Sequence, residues 1–179
     1  DTYDLAKKYA EMSIADIIIV TDPDSDRLGV SVYDEGEYKQ LTGNQIGAIL
    51  LEYILSESKK LGRLPENGYA VTSIVSTHLA RAICARYGVK LYETLTGIKN
   101  IADQIRQHSD EGAERFLFAF EESNGYMLNQ AVRDKDGVMA AIAIAEIATL
   151  SKANGVTLID QLESIYKLYG YSAELSVSI

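Results

Sequence analysis

Residues 69–92 read YAVTSIVSTHLARAICARYGVKLY, and this stretch decides the fold class. Tyr69 to Val75 is an apolar run with strand character, Thr77 to Tyr87 carries apolar residues at helical spacing, and Val89 to Tyr92 returns to strand. The alternation continues outward. Gly43 to Lys60 reads as helix on one side; on the other, Gly97 to His108 reads as helix and Arg115 to Phe120 as strand. Lys135 to Lys152 then forms a long Ala/Ile-rich helix that stops ahead of Gly155. Strands and helices taking turns give a layered α/β domain.

The flanks read differently. Asp1 or Thr2 is placed to cap a helix over residues 2–12, in which Leu5, Tyr9 and Met12 share a face. ADIIIV at 15–20 suits a fully buried strand of a parallel or mixed sheet. LGVSVY and EYKQL flank Asp34-Glu35-Gly36 as a hairpin, and a new unit begins at Leu41. Leu158 to Tyr169 is helical and leads to a strand at Tyr171 to Ser178. There is no internal repeat.

Composition narrows the functions. The 179 residues are 47% hydrophobic and 24% charged, with Pro23 and Pro65 the only prolines, which is the make-up of a globular domain. Seventeen Lys and Arg stand against 26 Asp and Glu, a net charge of -9 that repels a phosphate backbone and argues against nucleic acid as partner. Cys84 has no disulfide partner and reads as a packed thiol on a helix. The run Met139 to Leu150 contains Glu146 and is too short for a bilayer span, and no secretory signal is visible, so a cytoplasmic setting is the default. A start at Asp1 and a strand-like ending in ELSVSI read as an excised piece of something longer.

Chemistry concentrates in four clusters. TDPDSDR (21–27) leaves the Ile-rich strand with Asp22, Asp24 and Asp26 at alternate positions. Three carboxylates so close repel unless a cation sits among them, and hard oxygen ligands favour Mg²⁺. A solvated acidic turn is the plainer reading. An EF-hand loop fits poorly, since Arg27 and Tyr33 stand where Gly and Glu are needed. In ETLTGIK (93–99), Gly97 permits a tight turn, a helix start offers free amides and Lys99 adds a positive charge; alternatively Thr96 is a helix cap and Lys99 is solvated. FAFEESNGY (118–126) ends an apolar strand in acceptors suited to sugar hydroxyls; alternatively it is a plain turn closed by Gly125. Strand alternation sends Glu121 and Glu122 opposite ways, so one of the pair points at a ligand. VRDKDG (132–137) precedes the long helix; its charges can pair among themselves, or Arg133 and Lys135 can reach a phosphate or carry a proton. His78 and His108 read as surface residues, and no GxSxG, P-loop or paired Cys/His spacing is present.

Taken in order, TDPDSDR, TGIK, FEESNGY and RDKDG resemble the metal-binding, sugar-binding, hydroxyl-reading and following active-site segments of the α-D-phosphohexomutase superfamily, which includes phosphoglucomutase and phosphomannomutase. The resemblance implies a three-layer α/β/α fold with a mixed sheet. Residues 1–40 would end the family's second domain with the metal loop, 41–155 would form the sugar-binding third domain, and 156–179 would connect towards a fourth. It implies interconversion of hexose 1-phosphate and hexose 6-phosphate, of glucose or also mannose, through a phosphoserine and a hexose 1,6-bisphosphate.

Carried over residue by residue, Asp22, Asp24 and Asp26 would hold Mg²⁺, with Arg27 and Lys135 catalytic. Thr96, Gly97, Lys99, Glu121, Glu122, Ser123 and Arg133 would bind substrate. The nucleophilic serine of the family lies in a Ser-His-Asn-Pro type run that this sequence lacks, and Ser76 in SIVSTHLA does not replace it. The chain alone is therefore expected to be inactive, its partners being the hexose phosphate and domains 1 and 4 of the same parent, with no nucleic acid or membrane. Two alternatives stand beside this. Asp22-Pro23-Asp24 after an apolar strand also resembles haloacid dehalogenase-like phosphatases, although those usually carry Thr or Val where this chain has Asp26. The other is a non-catalytic cation-binding interaction domain.

Overall fold

Two sheets hold all the strands of the computed structural model, which describes residues 2–110 and 114–174. After helix α1 (Thr2–Ser13), strands β1 (Ile17–Thr21), β2 (Leu28–Asp34) and β3 (Glu37–Gln40) form an antiparallel meander in that order. The β2–β3 hairpin closes through Glu35 and Gly36, both with positive φ (49° and 94°), the two-residue turn whose twist matches its strands.

The second unit is built from α2 (Gly43–Lys60), β4 (Gly68–Ser73), α3 (Leu79–Tyr87), β5 (Lys90–Thr94), α4 (Ile98–Ile105), β6 (Arg115–Phe120), β7 (Tyr126–Met127), α5 (Gly137–Ala153) and α6 (Leu158–Tyr169). Its sheet runs β5-β4-β6-β7, with β4 parallel to β5 and β6, and β7 antiparallel to β6. The sheet is therefore mixed. Alternation along the strands feeds two cores. Ala70, Phe118 and Phe120 join the large core with α2, α3, α5 and α6, while Tyr69, Val71 and Ala119 meet Ile101 and Ile105 of α4 on the other face. Helices on both faces make three layers. The large core also takes in Leu28, Val30 and Val32 of β2, so both sheets share it.

Local chemistry explains the boundaries. Thr42 and Gln45 form a capping box that starts α2, and Thr157 and Asp160 form another that starts α6. Asp136 caps α5 through Met139 N at 2.8 Å, so that helix begins at Gly137 rather than Lys135. The helix expected to reach His108 is α-helical only to Ile105 and then widens into a π-helical turn, Arg106–Asp110.

Three expectations change. The Ile-rich strand β1 pairs only in an antiparallel sheet, and of its isoleucines Ile18 alone is buried, beneath α1, while Ile17 and Ile19 on the other face pack only partly against the large core. On α1 the shared face of Leu5, Tyr9 and Met12 is exposed; the helix instead lays Tyr3 and the small Ala6 and Ala10 on the sheet, where short side chains allow close approach. Tyr171 to Glu174 form no strand, and the remainder of that expected element lies outside the described residues. Asp1, the other capping candidate, also lies outside them, and Thr2 is the first residue of α1. The segment read as a connector from 156 onward contains α6, whose Leu158, Leu162 and Ile165 are buried in the large core. Among the described residues, no single helix is long and apolar enough to cross a membrane.

Candidate functional site

The loop after β1 is shaped by Asp22. Its Oδ1 accepts Arg27 N at 3.1 Å and its Oδ2 accepts Arg27 Nε at 2.8 Å, while Ser25 takes a left-handed conformation (φ 58°) to close the turn. The Arg27 guanidinium holds the Asp22 carboxyl down at about 2, so it is charged under all ordinary conditions. Asp22, Asp24 and Asp26 each offer an oxygen within 4.8 Å of the others.

Asp26 sits deeper. Its Oδ2 lies 2.7 Å from Lys135 Nζ, and its Oδ1 is buried with no hydrogen-bond partner, Arg27 Nε standing off at 3.6 Å. An unpaired buried carboxylate oxygen is costly, and on an acid grouped with two further carboxylates it is a ready ligand for a hard cation. The donor set therefore fits Mg²⁺: all oxygen, three carboxylates, with one buried oxygen unsatisfied. Lys135 is drawn both ways. Burial disfavours its ammonium, but Asp26 and Asp134 outweigh that and hold it above the ordinary lysine value.

Backbone contacts lock the neighbouring loops to this one. Gly137 N donates to Ser25 O at 3.0 Å, and a Cβ at Gly137 would lie 2.7 Å from Ser25 O and 2.8 Å from Arg27 O. Only glycine permits that approach. Arg27 forms an antiparallel bridge with Gly125, Leu28 N donates to Asn124 O at 3.1 Å, and Asn124 Nδ2 returns to Leu28 O at 2.9 Å. The Lys135 stem passes over Gly125 on its way to Asp26.

The adjacent glutamates, in the turn just past β6, take different partners. Glu121, buried, accepts Gly97 N at 2.8 Å and so ties the FEESNGY turn to the TGIK loop. Glu122 accepts Ser73 Oγ at 2.7 Å, at the end of β4. Gly97 is the N-cap of α4 with no side-chain cap bond, so Thr96 does not cap the helix; Thr96 and Lys99 are both exposed beside the loop. Asn100 closes that loop by donating to the carbonyls of Leu95 and Thr96. A groove of about 610 Å³ beside the metal loop is lined by Asp22, Arg27, Ser123 and Asn124, with Tyr3 and Gln40 behind.

The structure thus brings Asp22, Asp24, Asp26, Arg27 and Lys135 into one charged cluster, and joins Glu121 to Gly97. Arg133 is exposed on the segment leading to Lys135. Two positions escaped the sequence reading: Asn124, which stitches the turn to β2, and Ser73, which anchors Glu122. The Asn-Gly pair and the hydroxyl at the mouth of a buried strand were the available clues. His78 is exposed, whereas His108 stacks on Tyr92 at 3.8 Å and pairs with Glu114 at 2.9 Å, a structural role at the other end of the sheet.

Known proteins resemble the chain at the level of family and fold. The family described as phosphoglucomutase/phosphomannomutase, alpha/beta/alpha domain III, matches residues 42–169. A phosphoglucomutase of Staphylococcus aureus (strain N315) is 41% identical over 169 residues, covering 94% of this chain and 30% of that protein. The chain thus spans under a third of the relative's length. Among solved structures, a phosphoglucomutase/phosphomannomutase family protein from Burkholderia thailandensis superposes with a TM-score of 0.67 at 19% identity, over 92% of this chain and 32% of that one. The open form of Paramecium parafusin, a phosphoglucomutase, gives 0.64 at 22% identity, over 87% and 25%. These two resemblances speak to the fold alone.

Proposed function

The chain belongs to the phosphoglucomutase/phosphomannomutase family, and we propose from that premise that it is part of an enzyme interconverting hexose 1-phosphate and hexose 6-phosphate. The reaction would run by phosphoryl transfer through a phosphoserine and a hexose 1,6-bisphosphate, with glucose as the sugar and mannose as a second substrate. The observation that carries this reading is the single charged cluster formed by the TDPDSDR loop and Lys135, with the hydroxyl-reading turn locked against it.

Each side chain then has a role that its surroundings support. Asp22, Asp24 and Asp26 would hold Mg²⁺, which when bound offsets negative charge on phosphoryl oxygens. Arg27, fixed by Asp22 and lining the groove, would present a positive fork to a phosphate. Lys135 stays protonated at neutral pH, so it would donate a hydrogen bond or proton to an ester oxygen rather than accept one. Glu121 and Ser123 would read sugar hydroxyls, and Thr96, Gly97, Lys99 and Arg133 would border the ligand. We keep the division near Leu41 and count α6 with the second unit, because it shares the large core. A cytoplasmic setting and partnership with the parent's domains 1 and 4 belong to the same proposal.

Calorimetry tests it. The purified chain is titrated with Mg²⁺ and then with glucose 1,6-bisphosphate. Both are expected to bind, with Asp24→Asn weakening Mg²⁺ by about tenfold or more. Mg²⁺ binding with no response to the bisphosphate would overturn the mutase reading in favour of a cation-binding interaction domain. Because the sequence has no Ser-His-Asn-Pro run, the chain alone should leave glucose 1-phosphate unconverted.

A further inference from the structure

We propose that Glu122 is a positioning residue, held by a relay of two buried serine hydroxyls so that its neighbour Glu121 faces the ligand; the inference rests on the hexose-phosphate reading of the site. Ser73 ends β4 almost wholly buried, and its Oγ donates to Glu122 Oε2 at 2.7 Å. Ser76 Oγ lies 2.8 Å from Ser73 Oγ. A serine hydroxyl has one proton, and a carboxylate only accepts. Ser73 spends its proton on Glu122, so Ser76 must donate to Ser73, and the relay runs in one direction from Ser76 to Ser73 to Glu122. Hydrogen bonds to a charged acceptor in a low-dielectric setting are the stronger kind.

The backbone gives this anchor its leverage. Glu121 N donates to Gly125 O at 2.9 Å, and Asn124 holds a left-handed conformation with φ 68°. On the far side the turn abuts the start of α2, where a Cβ at Gly43 would lie 2.1 Å from Glu122 O. The turn therefore cannot move towards α2, and Glu122 prevents it from rolling the other way. Glu121, on the same turn, takes a different partner, its Oε1 accepting from Gly97 N and its Oε2 lying near Gly125. Releasing Glu122 frees the pair to rotate together, which breaks the Glu121–Gly97 bond and swings the sugar-reading carboxylate away. Glu122 thus acts through Glu121 and not by touching the sugar.

Site-resolved hydrogen exchange on the full 179-residue chain tests this without ligand. In Glu122→Ala and in Ser73→Ala, protection of the Gly97 amide is expected to fall about tenfold while amides of α5 keep theirs. Glu122→Gln, which retains an acceptor for Ser73, should restore Gly97 to within about threefold of the parent. Unchanged Gly97 protection in the alanine variants overturns the proposal, as does a loss spread evenly over β4, β6 and α5, which is the mark of a merely structural residue. Should Glu122→Ala fail to fold, Ser73→Ala and Glu122→Gln decide alone. A second arm measures glucose 1,6-bisphosphate affinity. Rescue by Glu122→Gln supports positioning, and loss in Glu122→Gln with Gly97 still protected assigns Glu122 to direct sugar contact instead. A parent chain that binds no bisphosphate sinks the functional reading, while the exchange arm still decides the role of Glu122.

Discussion

Asp22 shows how much a single residue's setting adds to its identity. Its carboxyl is held at about 2 by Arg27 against an ordinary 3.8. For a depressed acid, the stabilising contribution is complete above the unfolded value and disappears as pH falls through the folded one. The Asp22–Arg27 pair should therefore be intact at pH 5 and lost between about pH 4 and 2. NMR titration of the Asp22 carboxyl checks this: Arg27→Ala should move the midpoint up towards 3.8, and an unmoved midpoint would assign the shift to some other group. Cys84 makes the opposite case, a group silenced by burial. Its thiol, buried on α3, is pushed up to about 12 by loss of solvent, so almost no thiolate exists at neutral pH. Ellman's reagent should leave it untouched in the native protein and modify it within minutes once urea unfolds the chain. At this scale the sequence shows which residues carry charge and how they are spaced along a loop, and the acidic trio was legible for that reason. It does not show which distant residue completes them. Lys135 on Asp26 and Ser73 on Glu122 are partnerships of tertiary structure, invisible to local spacing.

Among the elements, those with chemical end-marks were read best. The bounds Gly43–Lys60, Arg115–Phe120 and Leu158–Tyr169 coincide with the sequence reading, and two of the three segments begin at capping boxes. β7 spans Tyr126–Met127 only, too short to display any alternation, and so was missed. β1 was assigned the wrong kind of sheet because an isoleucine run reports burial and β-propensity, not the direction of its neighbour; the hairpin beside it supplies the antiparallel partner. On α1 large apolar residues outweigh alanines in a periodicity argument, although alanines give the closer fit to a sheet, so periodicity points to the wrong face. The start of α5 is where an element bears on the site. A Cβ at Gly137 would press on the carbonyls of Ser25 and Arg27. Gly137→Ala is expected to cost about 1–3 kcal/mol of stability, as other overpacking changes do, and also to weaken Mg²⁺ binding by displacing the loop that carries Asp26. Urea denaturation and a Mg²⁺ titration on the same variant check both halves; a stability loss with unchanged Mg²⁺ affinity would mean that the helix, and not the loop, gives way.

At the scale of the whole molecule, the two sheets are joined by more than a covalent link. Leu28, Val30 and Val32 of the first sheet are buried in the same core as Cys84, Phe118, Ile144 and Leu162 of the second unit. Shared burial means that neither unit can unfold without exposing apolar surface of the other, and this makes all-or-none behaviour the expectation. With twelve tyrosines and no tryptophan, tyrosine fluorescence reports on many parts of the chain, far-UV circular dichroism follows the helices, and the Cys84 thiol marks α3 alone. The three transitions in urea should coincide. A sharper form of the test places the perturbation in one unit and the probe in the other. Leu28, fully buried in the first sheet, leaves a cavity in the shared core when truncated, so Leu28→Ala should lower stability by about 2–5 kcal/mol. That loss should appear in full at Cys84, shifting the urea concentration at which its thiol becomes reactive by the same amount as the dichroism. Separate transitions, or a thiol midpoint that ignores Leu28→Ala, would mean that two independent domains merely touch, and that the acidic loop reaches Lys135 across a surface able to open.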